Sequence, residues 1–185
     1  MSRPSCLVIV VLEDDHHEML VRRYLKMRGL KEHEIRIERS PSGAGSAENW
    51  VRKTFIKETN VYRTRHARTK LIVVIDADTR AVQYRLKQLD QALQDSGQHA
   101  VNAATEQIAR LVPRRNIETW ILCLNEHAVD EETDYKRQDN WNRLIPPAAE
   151  VLFQWTRAQD GPPENCIDSL KSGVKELKRL NFLMH

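Results

Sequence analysis

The stretch Lys70–Arg80, KLIVVIDADTR, constrains the fold more than any other in the chain. Five apolar residues, Leu71 to Ile75, run without a break into Asp76-Ala77-Asp78, and four of the five are β-branched. A short continuous apolar run of this kind reads as a strand buried on both faces, as in a parallel sheet. The strand ends where the acids begin. In open α/β sheets the carboxyl ends of the strands face the ligand crevice. Two carboxylates spaced i, i+2 just past such an end can both turn toward one point. Held close they repel unless a cation joins them, and oxygen donors suit Mg²⁺ or Mn²⁺. The plainer alternative makes Asp76 and Asp78 a polar strand exit, with Asp78 capping the next helix.

A second run, Cys6–Leu12 (CLVIVVL), has the same character and also ends in acids: Glu13, Asp14 and Asp15. A helix follows over Asp15–Arg28, with Leu20, Val21, Tyr24 and Met27 as its apolar face and Gly29 closing it. Glu34–Arg39 alternates and reads as a shorter strand nearer an edge. Ser40–Ser46 is a loop by composition, and its glycines match neither GxGxxG nor a P-loop. Thr79 is placed to cap a helix over Ala81–Asp95, with Val82, Leu86, Leu89 and Leu93 on one stripe. Gln107–Pro113 is a further strand candidate. Asn116 then caps a helix with Ile117, Trp120 and Ile121 inward and Glu118 in its first turn. There Glu118 suits the helix dipole, and it equally suits a further metal ligand or general base. Strand and helix alternate through the first two-thirds of the chain, which argues a mostly parallel α/β sheet with helices on both faces.

The rest is helical. Glu126–Asn142 is polar and mixed in charge and reads as an exposed, mobile loop. Pro146-Pro147 opens a helix reaching about Gln159, with Val151, Leu152 and Trp155 inward. Gly161-Pro162-Pro163 breaks it. The last helix, Glu164–Leu180, carries Ile167, Leu170, Val174, Leu177 and Leu180 on one stripe. That stripe could pack on the sheet, or on a second copy in a homo-oligomer. Residues 1–125 therefore read as an α/β domain, and 126–185 as a helical extension packed on it.

Charge and cysteine content narrow the class. The chain has 185 residues, 41% of them hydrophobic, with a formal charge of +3 and a pI near 8.8. That supports one domain with a real core. The three cysteines, Cys6, Cys123 and Cys166, form no CxxC pair, so neither a zinc knuckle nor a disulfide framework is signalled. The N-terminal apolar run is too short to span a bilayer and ends in acids, so no membrane attachment is expected and the cytoplasm is the expected location. Basic residues gather in one stretch: Arg52, Lys53, Lys57, Arg63, Arg65, His66, Arg68 and Lys70 face only Glu58 as an acid. Clusters of this kind attract phosphate backbones by counterion release, although a solvated helix face has the same composition. The expected nucleic-acid surface is Arg52, Lys53, Lys57, Arg63, Arg65 and Arg68.

If the two apolar strands are neighbours, Glu13, Asp76 and Asp78 converge at one end of the sheet. The ordered set of Glu13, the Asp76-x-Asp78 pair and Leu111–Leu122 (LVPRRNIETWIL) resembles the Toprim domain of topoisomerases, primases, small ribonucleases and OLD-family nucleases. The last segment is similar to one in small stand-alone Toprim-like proteins, some of which accompany ABC-type ATPases in bacterial antiviral defence. The resemblance covers about the first two-thirds of the chain. It implies a Toprim-like (Rossmann-like) fold, a Mg²⁺- or Mn²⁺-dependent nuclease activity on DNA or RNA, and an ATPase partner. It assigns Glu13 as general acid/base, Asp76 and Asp78 as catalytic metal ligands, and Glu118 as an auxiliary ligand beside Glu13. Two positions depart from the pattern: Asp14 stands where a glycine often follows the glutamate, and His17 where nuclease members often carry an acid. The chain has no room for a topoisomerase or primase module.

Residues 8–30 (VIVVLEDDHHEMLVRRYLKMRGL) also resemble the start of a receiver domain, in which Asp76 would accept a phosphoryl group. Against this, the Met-Pro that usually follows the acceptor is missing, and no lysine after a final short strand stands out. A Toprim-like fold without catalysis, serving as a regulatory or binding subunit, is the third reading. A phosphatase of the DxDx[TV] kind fits poorly, because Thr79 comes one position too early.

Overall fold

The computed structural model describes residues 7–43, 45–65, 68–138 and 140–182. Its centre is a four-stranded, wholly parallel sheet in the order β2-β1-β3-β4, built from β1 (Leu7–Leu12), β2 (Ile35–Arg39), β3 (Thr69–Val74) and β4 (Ile108–Leu111). The central pair is in register from Leu7↔Thr69 to Val11↔Val73. Both central strands are continuous apolar runs because helices cover both their faces. Cys6, expected in β1, lies outside the described residues.

The period of two divides each strand between two cores. Val8, Val10, Leu12, Ile72 and Val74 face one layer, formed by α1 (Asp15–Met27), α4 (Ile117–Leu124), α5 (Trp141–Trp155) and α6 (Asp168–Arg179). Ile9, Val11, Leu71, Val73 and Ile75 face the other, formed by α2 (Ala47–Thr64) and α3 (Val82–Asp95). The arrangement is Rossmann-like. The chain steps from β1 outward to β2, then crosses back over β1 to β3 and continues to β4. The direction of winding therefore reverses between β1 and β3, the place where doubly wound sheets open a crevice at their carboxyl ends.

Several elements differ from the sequence reading. In α1, Leu25 rather than Met27 completes the buried stripe, and Met27 is exposed. The N-cap of α3 is Ala81, with no side-chain cap, so Thr79 does not fill that role. The stripe of α3 has Leu89 and Leu93 fully buried and Val82 and Leu86 partly so, and it also buries an arginine, Arg85. Helix α5 begins at Trp141 and runs through Pro146 and Pro147. Proline-proline marks a first turn only when nothing upstream can extend the helix. Here Trp141, which packs on His16, and Ile145 anchor an earlier start in the core. Two missing N–H donors cost less than exposing them.

The last two helices complete the main core. Leu152, Leu170, Val174 and Leu177 are buried with residues of β1, β3 and α1. Gly173 lets α6 approach Trp120, whose Nε1 donates to Ser169 Oγ at 2.7 Å. A Cβ at Gly173 would overlap the ring atom Cη2 of Trp120 and stand 2.8 Å from Cζ3. Among the described residues no helix is long and apolar enough to cross a membrane.

Candidate active site at the switch point

The acids stand at the carboxyl ends of β1 and β3. Glu13 follows β1 directly, and its Oε1 accepts from the backbone N–H of Asp76 at 2.6 Å. This bond links the ends of the two strands across the switch point. Beyond β3 the chain keeps pairing with the segment after β4: Ala77 N donates to Pro113 O at 2.9 Å and Asp78 N to Arg115 O at 3.1 Å. Asp78 and Arg115 form an isolated bridge, both at positive φ, 53° and 68°. Aspartate visits the left-handed region more readily than most residues, whereas at arginine this geometry stores strain. The bridge brings the Asp76–Asp78 turn beside Asn116 and the first turn of α4, which carries Glu118.

Asp76 is 1% exposed and is held from three sides. His17 Nε2 lies 2.9 Å from its Oδ1. Arg85 Nε donates to its backbone carbonyl at 3.0 Å. Lys136 Nζ stands 3.7 Å from its Oδ2, too far for a hydrogen bond, and that oxygen has no hydrogen-bond partner. His17 is also fully buried, and its Nδ1 lies 3.2 Å from Asp14 Oδ1 without hydrogen-bond alignment. Burial opposes protonation of His17, but the Asp76 and Asp14 carboxylates on its two sides raise its pKa well above the ordinary value. His17 thus stands between two aspartates that favour its protonated form. Asp14 also caps α1, accepting from His16 N and His17 N at 3.1 and 3.2 Å. Burial works against the Asp14 charge as well, but His17 prevails and holds its pKa below the usual carboxylate range.

Glu13 shows the opposite balance. Burial and then the neighbouring Asp76 charge push its pKa up to about 7, only partly offset by His17. Asp76 is raised too, by burial, against the pull of His17 and Lys136. Glu118 is 2% exposed; His16 Nδ1 sits 2.7 Å from its Oε1, and its Oε2 has no partner. The Glu118 hydrogen bond raises the pKa of His16, with burial opposing.

Lys136 comes from the segment read as an exposed, mobile loop. The loop is largely exposed but anchored: Asp134 Oδ1 accepts from Asn116 Nδ2 and from Lys136 N, both at 3.0 Å, and Glu131 accepts from Ser169 N at 3.0 Å. Burial works to lower the pKa of Lys136, yet Asp76, Glu118, Asp14 and Asp78 raise it. Lys136, His16 and Arg85 were not legible as site residues. His17 stood out only as a departure from the nuclease pattern. The one local signal was the histidine pair directly after Glu13-Asp14-Asp15.

The expected residues do not all converge. Among the described residues no three His, Cys, Asp or Glu side chains are grouped tightly enough to hold a metal ion. Asp78 is 57% exposed and leans toward Arg85, 3.5 Å away. The donor chemistry nonetheless suits a hard cation. The oxygens are carboxylate, two buried ones (Asp76 Oδ2 and Glu118 Oε2) lack hydrogen-bond partners, and Glu13 and Asp76 crowd each other's charge.

The basic stretch also divides. Its helix, α2, is about 27 Å long at 1.5 Å per residue. Only its first turns reach the acids, through Glu48, which accepts from both Arg52 and Arg85. Lys53 and Lys57 are exposed on the same helix. Arg63, Arg65 and Arg68 sit where α2 turns into β3, at the opposite edge of the sheet. Arg63 is engaged within the chain. Its guanidinium grips Glu106 with two bonds, 2.7 and 3.0 Å, and donates to His99 O at 2.9 Å. Composition could not reveal this, because the acid that pairs with it lies 43 positions away.

Fold and site together define the class: a Rossmann-like α/β protein with a buried acidic–histidine cluster at the switch point. No family model, no curated protein and no solved structure matches the chain.

Proposed function

We propose that the chain is a divalent-metal-dependent nuclease that hydrolyses phosphodiester bonds in DNA or RNA. The observation that carries this reading is the 2.6 Å bond from Asp76 N to Glu13 Oε1, which brings two carboxylates together where β1 and β3 end; burial and the Asp76 charge also push the Glu13 pKa up to about 7 in the metal-free protein. A general acid/base works best with a pKa near the operating pH. Glu13 can therefore take a proton from an attacking water or return one to the leaving oxygen. His17 and Arg85 fix Asp76. Arg52 and Lys53, on the first turns of α2, supply positive charge for a phosphate backbone. Asp76 and Glu118, whose buried oxygens lack hydrogen-bond partners, would hold a Mg²⁺ or Mn²⁺ ion beside Glu13, with Asp78 joining only on turning away from Arg85; such an ion would activate water and stabilise charge on the phosphoryl oxygens. The resemblance to Toprim proteins extends the proposal to cytoplasmic work beside an ATPase partner in antiviral defence.

The test is cleavage of plasmid DNA, single strands and total RNA with Mg²⁺, Mn²⁺ or EDTA, comparing wild type with Asp76→Ala. Metal-dependent cutting that disappears in the variant supports the proposal. Cutting that survives the substitution removes the site assignment.

One observation favours a second reading. Lys136 Nζ stands 3.7 Å from Asp76 Oδ2, a lysine beside the carboxylate of the kind that a receiver-like phosphoacceptor site uses, although it comes from a loop rather than from the end of a strand. A small phosphodonor would then label Asp76, and Asp76→Asn would abolish the label. The nuclease reading is preferred because Ala77-Asp78-Thr79-Arg80 stand where a receiver domain usually has Met-Pro after the acceptor.

A further inference from the structure

Away from the acidic cluster, two thiols face each other. Cys123 lies in the last turn of α4, and Cys166 two residues before α6 begins. They are 43 positions apart in sequence, and both are free. Their sulfurs are 4.0 Å apart, in hydrogen-bonding contact. Cys166 is 6% exposed, while Cys123 is only half-buried and open to a small oxidant.

The surrounding contacts hold the two segments in register. Trp120, one turn before Cys123, donates to Ser169 Oγ, and Glu131 accepts from Ser169 N. The start of α6 is thereby fastened to α4 on both sides of the sulfurs. Buried cysteines often serve only as small apolar side chains. Here the contact is between sulfurs, across two separate elements, with one sulfur reachable from solvent. A disulfide needs sulfurs at about 2.05 Å, so the remaining gap must close by side-chain rotation with a small backbone adjustment.

We infer that Cys123 and Cys166 are a redox pair that closes to an intramolecular disulfide under peroxide and reopens under thiol reductants. Cys123 is the attacking sulfur. The hydrogen bond from Cys166, and a lesser one from the Ile167 backbone, outweigh burial and bring its pKa down to about 6. Its thiolate attacks a peroxide oxygen: the O–O bond breaks, an S–O bond forms and hydroxide leaves. The sulfur of Cys166 then attacks the sulfenic sulfur, so that an S–S bond forms and the S–O bond breaks. The departing hydroxide takes the Cys166 proton as water. In sum, two thiols and one peroxide give one disulfide and two waters, with sulfur oxidised and peroxide reduced.

The experiment uses the full chain, as wild type and as Cys6→Ser, so that the third cysteine cannot confuse the count. Reduced protein is treated with hydrogen peroxide, denatured, alkylated and weighed, then digested and mapped. For Cys6→Ser the expected result is two alkylatable thiols before oxidation and none after, with the loss of two hydrogens in mass. A linked peptide pair containing Cys123 and Cys166 should appear in both proteins and vanish with dithiothreitol. Closing a loop of this length should raise Tm on the order of 5–10 °C. In Cys166→Ser, Cys123 should stop at the sulfenic acid and be trapped by dimedone. The inference is overturned if both thiols still alkylate after oxidation. It is equally overturned if the products are covalent dimers, or if Cys123 oxidises to the sulfinic acid as fast in wild type as in Cys166→Ser.

Discussion

The substitution Glu13→Gln tests the electrostatics of the switch point most directly. Glutamine keeps the oxygen that accepts from Asp76 N at 2.6 Å and removes only the charge. In the folded protein Glu13 titrates at about 7 instead of its ordinary 4.5, first because of burial and then because of Asp76. Between these values the folded state binds more protons than the unfolded state. Stability is therefore fully present below pH 4.5 and is lost as pH rises toward 7. At about 1.4 kcal/mol per pH unit, the charged form costs at most ~3 kcal/mol of stability above pH 7. Glu13 and Asp76 titrate as a coupled pair, so only part of that figure, taken as about half, is assigned to Glu13. Glu13→Gln should unfold close to wild type at pH 5. At pH 8, in EDTA, its Tm should lie about 3–6 °C higher, since 1 kcal/mol moves Tm by roughly 2–4 °C in a chain of this size. Thermal unfolding by circular dichroism across that range reads the gap. Millimolar Mg²⁺ should then raise the wild-type Tm at pH 8 more than that of the variant, through mass action on the folded state. A gap that stays constant from pH 5 to 8 would refute the reasoning, because Glu13 would then carry its charge without penalty.

Other substitutions probe the neighbouring contacts. Lys136→Met removes the ammonium 3.7 Å from Asp76 Oδ2, one of the charges that hold the Asp76 pKa down, and so raises it further. The loss of Tm between pH 5 and 8 should then be steeper than in wild type by roughly 1–4 °C, a modest amount because Lys136 is half exposed. Gly173→Ala drives a methyl group into the Trp120 ring and should cost about 1–3 kcal/mol, measured by urea unfolding with a changed near-ultraviolet tryptophan signal. Arg63→Ala leaves the almost buried Glu106 with only the Asn102 N–H as partner among the described residues and should cost about 1–2 kcal/mol in the same assay. The salt dependence of any nucleic-acid binding should not change in Arg63→Ala, whereas Lys53→Ala and Arg65→Ala should flatten it.

The sequence by itself determined the sheet. Leu71–Ile75 and Leu7–Leu12 are apolar without alternation, and such runs are stable only between two layers of helices, which requires parallel strands and crossover connections. The acids that end both runs fall past the last residues of the strands, so Glu13, Asp76 and Asp78 stand at the carboxyl end of the sheet. Their partners were a different matter. A histidine, a lysine and a buried arginine take their roles from what lies opposite them: His17 and Lys136 meet Asp76 from far away in the chain, and Arg85 reaches back to it from the helix that follows. Long-range pairing of this kind leaves no periodicity to read. Arg63 illustrates the same limit in reverse: in a basic run it reads as a phosphate ligand, and the fold supplies Glu106 instead. The prolines of α5 were overruled by the burial of Trp141 and Ile145. Local preferences fix what a segment can become, but the energy of burying and pairing side chains is collected only across the finished core. The charge state of the acidic cluster was therefore decided by tertiary structure alone.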